Sequence, residues 1–340
     1  VSAEDFLDND GVDDTPLKIA LDLTITGDQM VLDFTRSAPA CQGPVNISRA
    51  TTVAACYVAL KHIFRDVPAN GGVLEPVEFR IDPDSILSVE APKPVSGYTE
   101  TILRLIDVAF QAIAQIAPEG AMACSYGTIN ALSIAGHRPG GKRWVMFSFF
   151  GGGHGAHGGG DGLSHGNAPI STATIPPLEV LEAAYPVRFT KWALRADSGG
   201  AGCWRGGLGA VYEIELLDKS AAVFLFGERG RFAPKGVVGG GSGAMNQFSY
   251  QNGSSMHSPP MASKMVGINI KQGERLRLES PGGGGYGNAL ERAPEAVVLD
   301  VARGFVTRAC AKEIYGVALN HDGSFDAQAT ATLRAGGIKS

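Results

Sequence analysis

Between residues 151 and 166 nine of sixteen positions are glycine, and a strand-like apolar run, 144–150, leads directly into them. Glycine loses more backbone entropy on folding than any other residue, so an ordered protein carries it in such density only for a reason. The reason can be a positive φ, a close approach of two backbones, or backbone contact with a ligand. A flexible linker is the bland alternative, but the serine-rich composition of linkers is missing here and aromatic runs flank the segment. A second glycine block, Asp197-Ser-Gly-Gly-Ala-Gly-Cys-Trp-Arg-Gly-Gly-Leu-Gly209, follows.

The chain is 44% hydrophobic and 19% charged, and its net charge is −5 with no basic cluster. This is a globular composition with a sizeable core, and it argues against nucleic acid or an anionic membrane as partner. No apolar run reaches the length of a membrane-spanning helix. Five scattered cysteines without a CxxC pair support neither a disulfide framework nor a cysteine-based zinc site, so a reduced, cytoplasmic protein is expected.

Apolar residues at 17, 19, 21, 23 and 25, a Gly27-Asp28 turn, and apolar residues at 30, 32 and 34 predict a β-hairpin. Asn46 or Ser48 is expected to cap a helix to about Phe64, and Thr99 to cap a second whose apolar face runs from Ile102 to Ile116. Short strands are expected within 73–89, then at 130–135 and 144–150. Further strands are expected at 187–194, 210–217, 222–227, 265–270 and 276–280. One or two helices broken at Gly304 and a loose tail from 319 to 340 complete the reading. The fold class is α+β: a sheet-and-helix layer over 1–185, a β-rich sandwich or barrel-like region over 186–290, and a helical segment with tail over 291–340.

Several motifs fail on inspection. The run 8–14 is acidic, but it lacks calcium-loop spacing and reads as an acidic turn. Residues 153–158 match GxGxxG, yet the glycines and proline that follow preclude the helix a dinucleotide would need. Residues 136–143 nearly match a phosphate loop, with Arg143 in place of the hydroxyl residue, and read as a hairpin turn. GxSxG and HExxH are absent. His154, His157, Asp161 and His165 are the densest set of possible metal ligands, but contact with substrate or partner is the better reading of their loop, and no complete metal site is expected. Arg205 is expected to pair with an acid such as Asp197 across a turn packed on Trp204.

Three stretches together resemble the hydantoinase B/5-oxoprolinase family: residues 5–11 with 30–35; the glycine loop through Asn167 with Pro177, Glu179 and Glu182; and residues 197–209. The resemblance implies the C-terminal portion of a B-type subunit that works with an A-type, nucleotide-binding partner. It also implies ATP and a divalent metal in the complete complex, and small cyclic amides as substrates. Family relatives instead carboxylate ketones, and a third reading is a non-catalytic scaffold. The family's His- and Asp-rich metal segment precedes the region matched, so a missing N-terminal portion of the B-type subunit is expected to supply it.

Activating a ring amide through its oxygen would make the carbonyl attackable. On chemical grounds His154, His157 and Asp161 are the catalytic candidates. Gly152, Gly153, Asn167 and Arg205 are the substrate-binding candidates, the glycine amides serving as oxyanion donors.

Overall fold

The alternation at 17–25 does form a strand, and it sits at the heart of the first of three sheets. In the computed structural model, which describes residues 1–138, 140–167, 169–171 and 176–335, β1 (Ser2–Leu7), β2 (Leu17–Thr26), β3 (Gln29–Asp33) and β4 (Val77–Arg80) lie in that order. The first two pairings are antiparallel and β3–β4 is parallel. Helices α1 (Arg49–Ile63) and α2 (Tyr98–Ile113) cover the sheet. Ile19, Leu21 and Leu23 join Ile102, Leu105, Ile106 and Ala109 in one buried cluster.

Ser48 caps α1, its Oγ accepting from the Thr51 amide. Asn46 is instead buried in a turn, its side chain donating to Cys41, Gly43 and Pro94 carbonyls. The cap of α2 falls on Gly97 rather than Thr99, with no side-chain cap bond. This helix departs from the single apolar face expected of it. It is buried on nearly all sides, and Glu100, Arg104 and Asp107 go inside with the apolar residues. A helix enclosed all round is ordinarily apolar all round, so these three charges require partners.

Two further sheets share a second core. One has the order β11 (Ser255–His257), β10 (Gln247–Asn252), β13 (Arg275–Glu279), β8 (Ala210–Leu216) and β7 (Val187–Leu194). The other runs β12 (Lys264–Lys271), β9 (Ser220–Phe226), β5 (Ala131–His137) and β6 (Arg143–Ser148). Leu132, Ile134 and Met146 of the second pack with Tyr212, Ile214, Leu276 and Leu278 of the first. The architecture is therefore α+β and has no closed barrel among the described residues; strands from both sides of residue 185 share one sheet.

After a short helix α3 (Leu178–Ala184), the C-terminal part holds α4 (Pro294–Ala302), α5 (Arg308–Glu313) and α6 (Ala327–Ala335) around Val297, Ala311 and Tyr315. Gly304 breaks α4 from α5 at φ +71°. The expected loose tail thus includes a docked helix, α6. Residues 336–340 of that tail, like Pro139 of the 137–142 turn, lie outside the described residues.

Between the two β-rich sheets and the C-terminal helices lies a bundle of extended glycine segments. The successive amides of Gly283, Gly284, Gly285 and Tyr286 donate to Gly207, Cys124, Gly241 and Trp204 at 2.8–2.9 Å. Partners that return to the same neighbouring segment after three residues are the mark of a polyproline-II-like helix, which has three residues per turn and no internal hydrogen bonds. Residues 121–126, 151–157, 198–209 and 234–243 surround residues 281–287 in this way. The close packing leaves no room for side chains: a Cβ on Gly153 would stand 1.8 Å from the Gly207 oxygen, and one on Gly283 1.9 Å from the His154 oxygen. Of the three reasons that could justify glycine here, close backbone approach is the one these positions use.

Candidate functional site

The bundle commits most of the groups singled out from the sequence. The Gly152 amide donates to Gly166 and the Gly153 amide to Pro281, each at 3.0 Å, so neither is available as an oxyanion donor. The Asp161 carboxylate receives both Arg292 nitrogens and the Arg205 amide, all at 2.7 Å. Those charge-assisted bonds hold its pKa below the usual carboxylate range despite burial. Arg205 is buried and sits 3.3 Å from Asp300, with its guanidinium carbon 5.4 Å from the Phe305 ring centroid. Its acids are Asp161 and Asp300, not Asp197, which adopts φ +58° and accepts the Thr307 amide. Asp161 and Arg205 therefore come together, but as a joint between the glycine bundle and α4.

The histidines separate. His165 Nε2 accepts from Trp192 Nε1 at 2.9 Å and lies 2.8 Å from the Tyr212 hydroxyl, and burial depresses its pKa. His157 Nδ1 faces the Gly158 oxygen at 3.3 Å on the outer side of the loop. His154 stacks 6.3 Å from the Tyr126 ring and its Nε2 meets the Asn167 carbonyl; burial lowers its pKa also. Among the described residues no three His, Cys, Asp or Glu side chains are grouped so as to hold a metal ion. The loop histidines and Asp161 do not fit a divalent ion, since their ligand atoms are turned to separate protein partners. Nor is there a nucleotide cradle at residues 136–143, where β5 turns into β6.

His154 and Asn167 meet beside a cavity of about 490 Å³. Asn167, Ser96, Tyr98, Thr99, Ile129 and Phe226 line it, with Phe147 and Phe149, a T-shaped pair 5.0 Å apart, half-exposed at its side. Glu100, from the first turn of α2, also borders it, with Ala131, Ile170 and Ser171. Its carboxyl group is wholly buried: Oε1 accepts the Ile129 amide at 3.0 Å, and the Thr128 hydroxyl is a further hydrogen-bonding neighbour. Burial and then the Glu228 charge push its pKa up to about 7. The Ile129 amide, Lys264 and the Thr128 hydroxyl act in the opposite direction.

Sequence reasoning missed this residue. Its signal was present: an acid, a base and an acid at 100, 104 and 107, spaced along one side of an otherwise apolar helix.

Those charges anchor a buried network. Asp5, from the motif at 5–11, lies 3.2 Å from Arg104 and 2.8 Å from Arg229, which also contacts Asp107. Lys264 contacts Glu228, and Glu228 receives the Asp8 amide at 2.7 Å. Asp8 in turn accepts the Gly230 amide at 2.7 Å and the Arg231 amide at 3.0 Å. The start of the acidic turn, Asp8 to Asp10, is thus a buried clamp between the first sheet and the loop after β9, while residues 11–14 are exposed.

Residues 1–289 match the hydantoinase B/oxoprolinase family along their whole length. The chain belongs to that family. It is similar to the B-type subunit of a putative D-/L-hydantoinase from Pseudomonas sp. strain NS671, with 29% identity over 98% of this chain and 58% of that protein. It is also similar to the solved ATP-dependent caprolactamase of Pseudomonas jessenii, at 27% identity and TM-score 0.80, over 93% of this chain and 56% of that one. The fold matches nucleotide-free acetone carboxylase at TM-score 0.84 and 20% identity, over 99% of this chain and 52% of that one. The chain therefore spans little more than half the length of these family relatives. No described helix is long and apolar enough to cross a membrane.

Proposed function

We propose that this chain works as the C-terminal portion of a B-type subunit in a complex that opens small cyclic amides with the help of ATP and an A-type partner. The observation that carries this reading is the likeness to proteins named hydantoinase and caprolactamase at 27–29% identity, against 20% for the ketone carboxylase, where the likeness is one of fold. ATP would activate, through its oxygen, an amide carbonyl that is otherwise a poor electrophile. This chain's own contribution is a largely apolar cavity at the start of α2, with Asn167 and the rings of Phe147, Phe149 and Phe226 in its lining. His154, fixed against Asn167 with its pKa lowered by burial, orders that wall. We derive no step through a metal, because the described side chains do not converge on one.

The test is a reconstituted complex with an A-type partner and the remaining portion of the B-type subunit. ATP hydrolysis is expected to rise with a lactam, a hydantoin or 5-oxoproline, and to stay at baseline with acetone or acetophenone plus bicarbonate. The opposite pattern would move the assignment to a carboxylase. H154A, H157A and D161A in the same complex separate catalysis from support: full turnover by all three, with assembly intact, would leave their loop a scaffold.

A further inference from the structure

The two sheets that share the second core have outer faces of opposite character. On the five-stranded sheet the outward residues form a cross-strand ladder of charge. Arg188 and Arg275 meet Glu215 at 3.0 and 3.8 Å, and Arg277 pairs with Glu213 and, at 2.9 Å, with Glu279. That is a face made for water. On the four-stranded sheet, buried residues of β5, β6 and β9 alternate with outward ones. From Ala131 to Ala135, and at their partners on β6 and β9, none of those outward residues is charged.

Register sets the relief of this second face. Ser133 lies between Phe147 and Phe224, Ala135 lies between Val145 and Ala222, and Ala131 lies beside Phe226. Small residues on β5 thus form a floor, and large apolar ones on β6 and β9 form two banks. Phe147 is 53% exposed, and Val145 and Phe224 are exposed as well. The banks stand one strand to either side of the floor, about 10 Å apart at a spacing of about 4.8 Å per strand. That is the diameter of an α-helix, about 10–12 Å. The 7 residues of β5 make the trough about 24 Å long, room for about four turns of helix.

We propose, resting on the B-type reading above, that this trough seats an amphipathic helix from the remaining portion of the B-type subunit. The helix presents an apolar stripe at i, i+3, i+4 and i+7 to the floor and keeps its polar side in water. Three observations favour that occupant. This chain spans 52–58% of the length of the three relatives above, so in them a body of comparable size shares the subunit, and two such bodies meet over about 600–1,500 Å². The charged ladder is satisfied within itself and gains nothing from cover, whereas the exposed phenylalanines of the trough do. The trough also runs into the candidate cavity, which Ala131, Phe147 and Phe226 line in common with it. A helix seated there would roof that cavity.

The experiment is sedimentation velocity of the 340-residue chain, alone, with the separately produced remaining portion of the B-type subunit, and with the A-type partner. Hydrogen–deuterium exchange of each mixture follows. F147T/F224T removes both aromatic banks but keeps β-branched strand formers at exposed positions, so its urea midpoint should match the parent's. Q247D, on the outer face of the five-stranded sheet, is the control. The parent and Q247D are expected to bind the remaining portion equally. F147T/F224T is expected to bind it at least about thirtyfold more weakly, the effect of losing aromatic anchors. Exchange should slow in one helical segment of the remaining portion, about four turns long, whose sequence carries the apolar stripe.

Undiminished binding by F147T/F224T would overturn the proposal, as would protection spread over strands instead of one helix. A dimer of the chain alone that this variant dissolves would make a second copy the occupant, and a loss confined to the A-type partner would make that partner the occupant; either result overturns it. None of these readouts depends on substrate. A complex that assembles through the trough yet turns over acetone with bicarbonate would keep this inference and move the amidase reading.

Discussion

Substituting alanine for two glycines of the same bundle should give opposite outcomes. At Gly283 the new Cβ would lie 1.9 Å from the His154 oxygen and 2.2 Å from its carbon, both backbone atoms that no rotamer change can move. The segments would have to part by more than an ångström. That opens the bonds from the Gly283 amide to Gly207, from the Gly200 amide to Gly283, and from the Gly207 amide to His154, at 2.8–2.9 Å now. At about 1 kcal/mol net for each bond, with about 1–3 kcal/mol for overpacking, G283A should lose about 4 kcal/mol or more. At Gly241 the nearest atoms to an added Cβ are Ala201 N and O at 3.4 Å, ordinary contact, so G241A should fall within about 1 kcal/mol of the parent, helped by a less flexible unfolded chain. Urea unfolding followed by far-ultraviolet circular dichroism reads both. Matching midpoints for G283A and G241A would refute the claim that these glycines exist for backbone contact.

Three further outcomes follow from the charged interior. Glu100 and Glu228 both have pKa values raised to about 7, burial being the first cause in each. The folded state then keeps protons that the unfolded state releases near pH 4.5, so stability should fall as pH rises from about 4.5 to 7. The loss is at most about 3 kcal/mol for each group, and E100Q should flatten the slope in urea midpoints taken across that range. D161N should cost about 2 kcal/mol, because Arg292 and Arg205 lose the acid that pairs them to the loop. Asp161 has a lowered pKa, so its contribution is present above about pH 4 and disappears as pH falls through the folded value. R229M should cost about 3–5 kcal/mol or abolish soluble expression, since it leaves Asp5 and Asp107 buried without that cation; a midpoint within about 1 kcal/mol of the parent would contradict this.

The parts of the fold that could be read from the sequence are those whose cause is local. Period-two alternation located β2 and β3, and short runs separated by glycine turns located β8, β12 and β13. Strand β1 was hidden by Glu4 and Asp5, and Asp5 is tolerated only because Arg104 and Arg229 reach it from 99 and 224 residues away. Strands β10 and β11 are polar and half-exposed, and lack the alternation. Arg205 was paired with a nearby acid when its buried partner, Asp300, lies 95 residues on. The same distance effect concealed the candidate site. Glu100 has the sequence signature of a helix-terminal charge, and only the packing of the Ile129 amide and Phe226 beside it makes it the wall of a cavity. Local sequence carries propensity and periodicity; it does not carry which distant groups pack around a buried charge.

The glycine bundle bears on function through what it holds in place. Forty-six glycines are entropically expensive, and a bundle of bare backbone offers no side chain for chemistry. What it offers is position. Segments tied by many backbone bonds, at contacts most of which exclude a Cβ, have few rotamers through which to relax. Tyr126, whose amide bonds to Gly153, packs against Gly152 and stacks on His154, and His154 holds Asn167 at the cavity. On the opposite wall, α2 is fixed through Arg104 and Asp107 to a network of buried ions. Two bodies built from unlike materials, a glycine bundle and a helix held by buried ions, thus meet at the aromatic-lined cavity. A cavity whose walls keep their shape spends less of its binding energy on ordering, because a wall free to move must first be fixed before it can tell one ligand from another.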